Sequence, residues 1–466
     1  MSDNDTDPQP LRGTFWLASD SLNSVRASLQ YRDGTEALLT VDGQITPGRS
    51  QLRHTTGSSA TTIRAPHPDD AVADFEPVTV HGTLEDGTAL TLLDTRIMSS
   101  PLWPPRSPQQ RATVQTTVRG AHLTGPEHQF HSIRFSVDIP GGWDHLAADS
   151  SGKYAVAEGI SFTVIEDTAG RLLFEYVSSS PRSLLELRMS ASNAIAGLVQ
   201  LCTRREPRVS SISVSADVDG PLLAVKLTEE RDTESRPMRT FIPLEALTVE
   251  VLVHWLSVWQ KIGNLGDAVI AGRDDVVEAN VLVLCAVAEG LDNRLFGDTN
   301  EQLVLTEGQR KTIRRSARSA GLRAFDDLGT PAARADIERS LTDSLAGFGR
   351  MTFSDRMNRL ATKAATTAPG IISDFSESDI APHESWQDLV TFARNTMAHQ
   401  ISRFVGNRHR DRHYRLLISV SMSLDWVLKI LLLNESGIHP LIVERSVISD
   451  AEFQYYRANI RSTLNC

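Results

Sequence analysis

Residues 78–93, which read VTVHGTLEDGTALTLL, decide the fold of the first half of the chain. Two runs rich in valine, leucine and threonine flank the turn EDGT at 85–88, and an Asp-Gly pair between such runs is a strong signal for a β-hairpin. This pattern, repeated along the chain, predicts a sandwich-like antiparallel β-rich domain or a curved sheet, with one helix at 191–205. Similar β-favouring runs lie at residues 14–17, 25–31, 37–41, 113–123, 133–139, 160–165, 172–177, 209–214, 222–227 and 240–242.

Beyond residue 243 the apolar residues recur with the 3.6-residue period of helices. A chain of 466 residues is expected to form more than one domain. We therefore predict an α+β multidomain protein with a disordered tail at 1–10, the β-rich domain at 11–243 and an all-α helical bundle at 244–466. The predicted helices of the bundle are 244–262, 275–296, 307–320, 331–345, 353–365, 382–404, 411–434 and 451–461.

Composition narrows the class of protein. The net charge of −11 argues against a protein that coats nucleic acid non-specifically. The three cysteines, Cys202, Cys285 and Cys466, fit neither a disulfide framework nor a zinc site, so a reducing cytoplasm is expected. The tail has no apolar signal core, and the longest apolar run, 426–433, is interrupted by Lys429, which predicts no membrane span.

The segment RNTMAH at 394–399 combines three side chains suited to chemistry on a phosphodiester. The guanidinium of Arg394 can bind phosphate oxygens as a fork, the imidazole of His399 can move a proton near neutral pH, and the amide of Asn395 can hold either group. Asn395 and His399 are four residues apart in the predicted helix 382–404, so they share a face away from its apolar stripe. Arg394 lies about 140° from His399 around the axis, which its long side chain can span.

Two groups of cations lie in the helical half. The first spans residues 310–323, and the second follows the hexad directly. Each can form a solvated helix face paired with acids, or a cationic rim for a polyanion such as RNA. The second group comprises Arg403, Arg408, Arg410, Arg412 and Arg415, with His409 and His413 among them.

Other sequence motifs do not indicate a metal site or a hydrolase. The histidines show no H-E-x-x-H or similar metal spacing, and there is no Gly-x-Ser-x-Gly elbow. The sequence therefore indicates neither a metal nor a cofactor. Trp103 and Trp143 can form a ligand platform on the β-rich domain, although core packing explains each of them better.

The hexad resembles the signature of HEPN domains, in the branch attached to ApeA-type bacterial proteins. The stretch 286–294, which contains Glu289, is similar to the early bundle helix of that family, and 351–360 to its middle helix. The β-rich half resembles the amino-terminal domain of ApeA-like proteins, especially at 11–16 and 29–43.

This resemblance implies a helical bundle that forms a homodimer or higher homo-oligomer, so that two Arg/His sets line one cleft. Family members are commonly endoribonucleases, many of them in toxin or phage-defence systems, and structured RNA such as tRNA is the substrate by family habit. The family mechanism implies that His399 acts as general base or acid, Arg394 stabilises the transition state and Asn395 orients His399 or binds the phosphate. Glu289 would fix Arg394 or the histidine tautomer.

Three functions stay open on the sequence. The first is a metal-independent ribonuclease whose β-rich domain senses a trigger, such as a phage product, or selects substrate. The second is a non-catalytic HEPN bundle that binds RNA or a partner. The third is a β-sandwich protein that binds a ligand such as a carbohydrate and is dimerised by the bundle.

Overall fold

The structure, a computed structural model, divides into two compact units. One comprises Met1–Thr240 with Leu247–Ser257, and the other comprises Phe241–Ala246 with Val258–Cys466. The division therefore interleaves around the predicted boundary at 243/244 instead of falling at one peptide bond. The structure describes residues 9–32, 35–45, 53–57, 60–64, 76–98, 109–139, 142–147, 152–168, 170–217, 220–227, 240–271, 276–297, 305–327, 334–346, 351–375, 385–398 and 407–464.

The described part of the first unit is dominated by antiparallel strands. The short β4 and β5 pair only with each other, and the remaining twelve form a single sheet. The strands are β1 (Leu11–Leu17), β2 (Asp20–Arg32), β3 (Thr35–Val41), β4 (Arg53–Gly57), β5 (Ala60–Arg64), β6 (Val78–Leu84), β7 (Ala89–Met98), β8 (Gln110–Arg119), β9 (Gln129–Val137), β10 (Lys153–Ala157), β11 (Ile160–Glu166), β12 (Leu172–Ser183), β13 (Val209–Ser215) and β14 (Leu223–Leu227).

Six of these strands close into a ring. Each strand in the order β8, β3, β2, β1, β6, β7 is hydrogen-bonded to the next, and β7 pairs back with β8. Successive residues of a strand face opposite sides, so alternate apolar side chains fill one common core. Its buried residues include Phe15, Leu29, Leu39, Val80, Leu92 and Val114.

The hairpin predicted at residues 78–93 is confirmed as β6 and β7. At its turn the Leu84 N–H donates to the Thr88 carbonyl over 2.9 Å, and Gly87 adopts a φ of +82°, which glycine reaches without steric cost. Across β1 and β6, Phe15 is in register with Gly82. A Cβ at Gly82 would lie 2.4 Å from the Phe15 ring, so only glycine allows the ring to lie there.

β8 also joins the ring to the rest of the sheet. On one edge, the first half of β8 pairs with β3 and its residues 116–119 pair with β14. On the other edge, β8 pairs with β7 along most of its length. Beyond β14 the sheet continues through β13, β9, β12, β11 and β10. The ring and its extension therefore share one strand.

Helices complete the first unit. They are α1 (Asp144–Ala147), α2 (Leu184–Leu187), α3 (Asn193–Thr203), which follows a π-helical segment at Arg188–Ser192, and the first part of α4 (Val249–Ile262). The Trp255 Nε1–H of α4 donates to the Ala194 carbonyl of α3 over 2.7 Å. Both helices therefore pack through buried groups.

The predicted fold class is confirmed, since an antiparallel β-rich domain is followed by an all-helical region. Six of the strands form a closed ring, whereas the spacing of the strands in the sequence predicted a sandwich or a curved sheet. The strand predicted at 240–242 is wrong. Phe241 and Ile242 are buried there without strand pairing, and the Phe241 ring meets Trp426 edge-on at 6.2 Å. The pair β4–β5 and the strand β10 were not predicted.

The second unit is helical. A buried core forms where the helix Asn407–Glu435 packs against the helices Val277–Phe296, Phe353–Ala365, Trp386–Ala398 and Ala451–Leu464. Short 3₁₀ turns occur at Leu244–Ala246 and Ser373–Phe375. Besides the end of α4, the described helices are α5 (Leu265–Ile270), α6 (Val277–Phe296), α7 (Glu307–Asp326), α8 (Arg334–Ala346), α9 (Phe353–Ala365), α10 (Trp386–Ala398), α11 (Asn407–Glu435), α12 (Pro440–Ser449) and α13 (Ala451–Leu464).

One described stretch, Asp411–Glu435 of α11, is long and apolar enough to cross a membrane by length and composition alone. The prediction of no such run is wrong on this criterion, because Asp425 and Lys429 do not make the window polar. They form an ion pair at 3.0 Å one turn apart. The apolar window is 83% buried inside the protein, as expected of a core helix in a bundle.

Candidate active site

Helix α10 carries the first part of the hexad and is anchored by its apolar face. Trp386, Leu389, Val390 and Ala393 are buried, and the Trp386 Nε1–H donates to Ser423 Oγ of α11 over 2.8 Å. The sequence predicts a buried face of six residues, of which Met397 is only half-buried and Ile401 lies outside the described residues. Anchoring this face turns the polar part of the helix outward, so the fully exposed side of α10 presents Asn395.

Arg394 is held from two sides. Its Nη2 donates to Glu289 Oε2 of α6 at 3.3 Å, and its guanidinium lies 4.5 Å from the centre of the Phe353 ring at the start of α9. The Arg394 and Glu289 side chains stay 38% and 36% exposed. A carboxylate and an aromatic face thus restrict a cation that solvent still reaches.

A buried ion-pair network fixes the two helices that hold Arg394. Asp292 of α6 is fully buried and accepts from Arg359 Nε at 2.8 Å and Nη2 at 2.5 Å, and from Arg356 Nη1 at 3.2 Å. Both arginines belong to α9. Asp292 lies three residues after Glu289, and Arg356 lies three residues after Phe353. The network therefore sets the spacing of the two groups that contact Arg394.

Cys285 lies one turn before Glu289 on α6 and is buried. Burial raises the pKa of its thiol to about 12, the nearby Arg394 guanidinium lowers it, and the Glu289 carboxylate raises it. The thiol is therefore protonated at neutral pH and does not serve as a nucleophile. Burial likewise raises the pKa of Cys202 far above its usual range.

The described part of the second cationic group contacts α10. The His413 ring of α11 meets Phe392 of α10 edge-on at 6.3 Å. Burial lowers the pKa of His413, against a smaller opposite effect of Glu278, so the imidazole is neutral at pH 7. Arg412 is exposed and Arg415 is half-buried on the same turn of α11.

The structure brings together some of the predicted site residues. Arg394 and Glu289 are in contact, and Asn395 is on the adjoining exposed surface. His399 and Arg403 lie outside the described residues, as do the side chains of Arg408 and Arg410. The predicted roles of all these residues stay predictions.

Phe353 was not predicted to belong to the site. Its sequence signal was local only, since Thr352 and Asp355 form a capping box that marks the start of α9. Its stacking on Arg394 is a tertiary contact, which helix periodicity does not reveal.

Two other expectations concern alternative sites. Among the described residues no group of three or more His, Cys, Asp or Glu side chains could hold a metal ion. Trp143 is buried, and its Nε1–H donates to the Val137 carbonyl over 2.7 Å, so it packs in the β-rich unit and offers no ligand platform. Trp103 lies outside the described residues.

Comparison with known families bears on the first unit. Residues 10–146 match the family described as ApeA N-terminal domain 1. This match supports an ApeA-like N-terminal domain in this part of the chain. The match includes all six strands of the ring, together with β9, and stops before β10. Less than a third of the chain is covered, so the match does not bear on the helical unit.

Two further searches were negative. No curated protein and no solved structure matches the chain. The match supports the expected ApeA-like domain over residues 10–146, and its predicted extent to residue 243 stays a prediction.

Proposed function

We propose that this chain is a metal-independent endoribonuclease of the HEPN type that acts in anti-phage defence. The helical unit would carry out the cleavage, and the ApeA-like domain would sense a phage-derived trigger or select the RNA. The observation that carries the proposal is the position of Arg394, which lies between Glu289 and Phe353 and still reaches solvent, five residues before His399.

The proposed reaction uses the ribose 2′-hydroxyl of the substrate as the nucleophile. His399 accepts the 2′-OH proton as a general base while the 2′-oxygen attacks the adjacent phosphorus. The P–O5′ bond breaks, and the 5′-oxygen takes up a proton. The products are a 2′,3′-cyclic phosphate and a 5′-hydroxyl end. Because DNA has no 2′-hydroxyl, this route selects RNA.

Arg394 would stabilise the negative charge that builds on the phosphorane-like transition state. A guanidinium has five N–H donors in a fixed fork, and the Glu289 contact uses one nitrogen of Arg394, which leaves donors for phosphate oxygens. Asn395 is exposed beside it and would orient His399 or bind the phosphate. Arg412 and Arg415 would hold neighbouring phosphates of the RNA.

Because members of the resembled family commonly dimerise, we also propose that this chain acts as a dimer. Two copies would face each other through the helical unit, so that two Arg394/His399 sets share one cleft. A nuclease that is active without restraint would harm its own cell, and for this reason we propose that the ApeA-like domain gates it.

The decisive experiment is cleavage of RNA in the presence of EDTA. Purified protein is incubated with total RNA, and the ends are mapped. We expect 2′,3′-cyclic phosphate ends from the native chain, and a loss of about 100-fold or more in rate for Arg394→Ala and for His399→Ala, since each removes a group that acts in the transition state.

Matched controls keep this test sharp. His254→Ala and Arg445→Ala remove an exposed imidazole and an exposed guanidinium elsewhere, and both should cleave at the native rate. RNA binding without cleavage by the native chain would instead support the non-catalytic bundle. Cleavage that EDTA abolishes, or that survives His399→Ala, would overturn the proposed mechanism.

A further inference from the structure

Helix α7 differs from the other long helices of its unit because none of its twenty residues is buried. A helix that is polar all round is normally stabilised by charge pairs or by a partner. Among the described elements its main neighbour is α8, which approaches at Gly321. A Cβ at Gly321 would lie 2.9 Å from Leu341 of α8. The two helices form a hairpin, which we call the α7–α8 arm, Glu307–Ala346.

Most of the cations of α7 share one side. At about 100° per residue, five of its six basic residues fall within an arc of about 140°, and Arg323 lies opposite them. The first and last of the five are eight residues apart, which is about 12 Å along the axis. We call these five the α7 cationic stripe: Arg310, Lys311, Arg314, Arg315 and Arg318.

The stripe is only partly neutralised. Arg314 pairs with Glu307 at 3.1 Å, and Arg318 pairs with Glu338 of α8 at 3.5 Å. The other three, Arg310, Lys311 and Arg315, have no ion pair with any residue in the described part of the chain. A chain with net charge −11 thus holds three cations without an ion pair among the described residues, on a helix with no buried residue; Lys311 and Arg315 are exposed and Arg310 is half-buried.

The chemistry of the stripe favours a phosphate backbone over other anionic partners. Four of its five cations are arginines, whose planar forks match phosphate oxygens. An anionic membrane would also need a broad apolar face to insert, and the apolar side chains of α7 are few, with Ile313 36% exposed. Evenly spaced cations without an apolar stripe fit a polymer of phosphates.

We infer that the α7–α8 arm is an RNA-binding surface, on which Arg310, Lys311 and Arg315 bind the phosphate backbone of the substrate. This inference rests on the proposed function for the identity of the polyanion, and it assigns the binding of RNA to a surface separate from the cleavage residues. Contacts to phosphates alone carry no sequence information, so the arm would add affinity without choosing the cleavage site.

The test measures binding apart from cleavage. A fluorescent single-stranded RNA is titrated with the Arg394→Ala/His399→Ala protein, so that no substrate is consumed, at several salt concentrations. In that background, the triple change Arg310→Gln/Lys311→Gln/Arg315→Gln should lower the slope of log affinity against log salt by about 2, since each phosphate contact contributes about 0.7. Between 50 and 200 mM salt the parent would then lose about twentyfold more affinity than the triple variant.

A control variant that also loses three positive charges distinguishes binding by this surface from a general effect of net charge. Lys261→Gln/Arg323→Gln/Arg445→Gln removes three exposed cations, one of them on the opposite side of α7, and should leave the slope unchanged. Equal slopes for the two triple variants would overturn the arm as the binding surface. The inference would also be overturned if the Arg310→Gln/Lys311→Gln/Arg315→Gln variant bound RNA as the parent does but no longer bound anionic vesicles. Neither outcome depends on whether the native chain cleaves RNA, so failure of the arm and failure of the nuclease are distinguishable.

Discussion

Arg394 illustrates how single residues define the candidate site. Its guanidinium is bracketed by the Glu289 carboxylate and the Phe353 ring, and a bracketed cation loses less conformational freedom when it binds a phosphate. The sequence allowed us to place Arg394 on a helix with a buried opposite face. It did not show Phe353, because that contact joins two helices and depends on the tertiary fold.

Phe353 should therefore act as a positioning residue for the proposed cleavage. Replacing it by leucine removes the ring beneath Arg394, which is worth about 1 kcal/mol, so kcat for RNA cleavage should fall about fivefold with little change in KM. Phe353→Tyr keeps an aromatic face and should restore the rate. A leucine variant with the native kcat, or a tyrosine variant as slow as leucine, would contradict this role.

The buried thiols give a prediction that does not depend on function. Because burial raises the pKa of Cys285 to about 12 and raises that of Cys202 as well, neither thiol should react with a thiol reagent at pH 8 in the folded protein. Using Cys466→Ser removes the terminal thiol from the assay. Both cysteines should react once urea unfolds the chain, and fast labelling of the native protein would be the contrary result.

The same thiols affect stability at high pH. The folded state keeps them protonated, whereas the unfolded state loses the protons near pH 9, so the unfolded chain binds fewer protons above that pH. Stability from this source is complete below pH 9 and decreases as the pH rises towards 12.

At the scale of elements, helix bounds set by local sequence can be distinguished from bounds set by tertiary packing. Helix α9 was predicted at its observed bounds, and the structure shows a Thr352/Asp355 capping box at its start. Helix α7 was predicted to end at residue 320, but it continues to Asp326 because Gly321 serves the close approach of Leu341 instead of a helix end. The short helices α5 and α12 were missed, since six or ten residues give too little periodicity.

The junction of α6 and α9 rests on Asp292. Asp292→Ala leaves the two buried arginines of the network without their carboxylate, so the free energy of unfolding should fall by about 3–5 kcal/mol. Urea unfolding followed by circular dichroism measures this loss. Asp343→Ala removes an exposed carboxylate and should change stability by less than about 0.5 kcal/mol. Similar midpoints for the two variants would show that the network contributes little.

At the scale of the molecule, the two units were recognised by different signals. Alternation and turn residues identified the β-rich unit, and the family match at 10–146 supports that part. Ring closure could not be predicted, because it requires β1 to pair with β6 and β3 to pair with β8, and these strands are not neighbours in the sequence. The helical unit was predicted from its 3.6-residue period, although His399, for which we propose a catalytic role, falls outside the described residues.

The position of β8 has a mechanical consequence. This ten-residue strand belongs both to the ring and to the sheet extension. A proteolytic nick or an insertion within Gln110–Arg119 would therefore disrupt the strand pairing of both at once. Damage to β10, which lies at the far end of the strand order, would leave the ring shut. Amide exchange in β1 and β6 after each kind of lesion would report the difference.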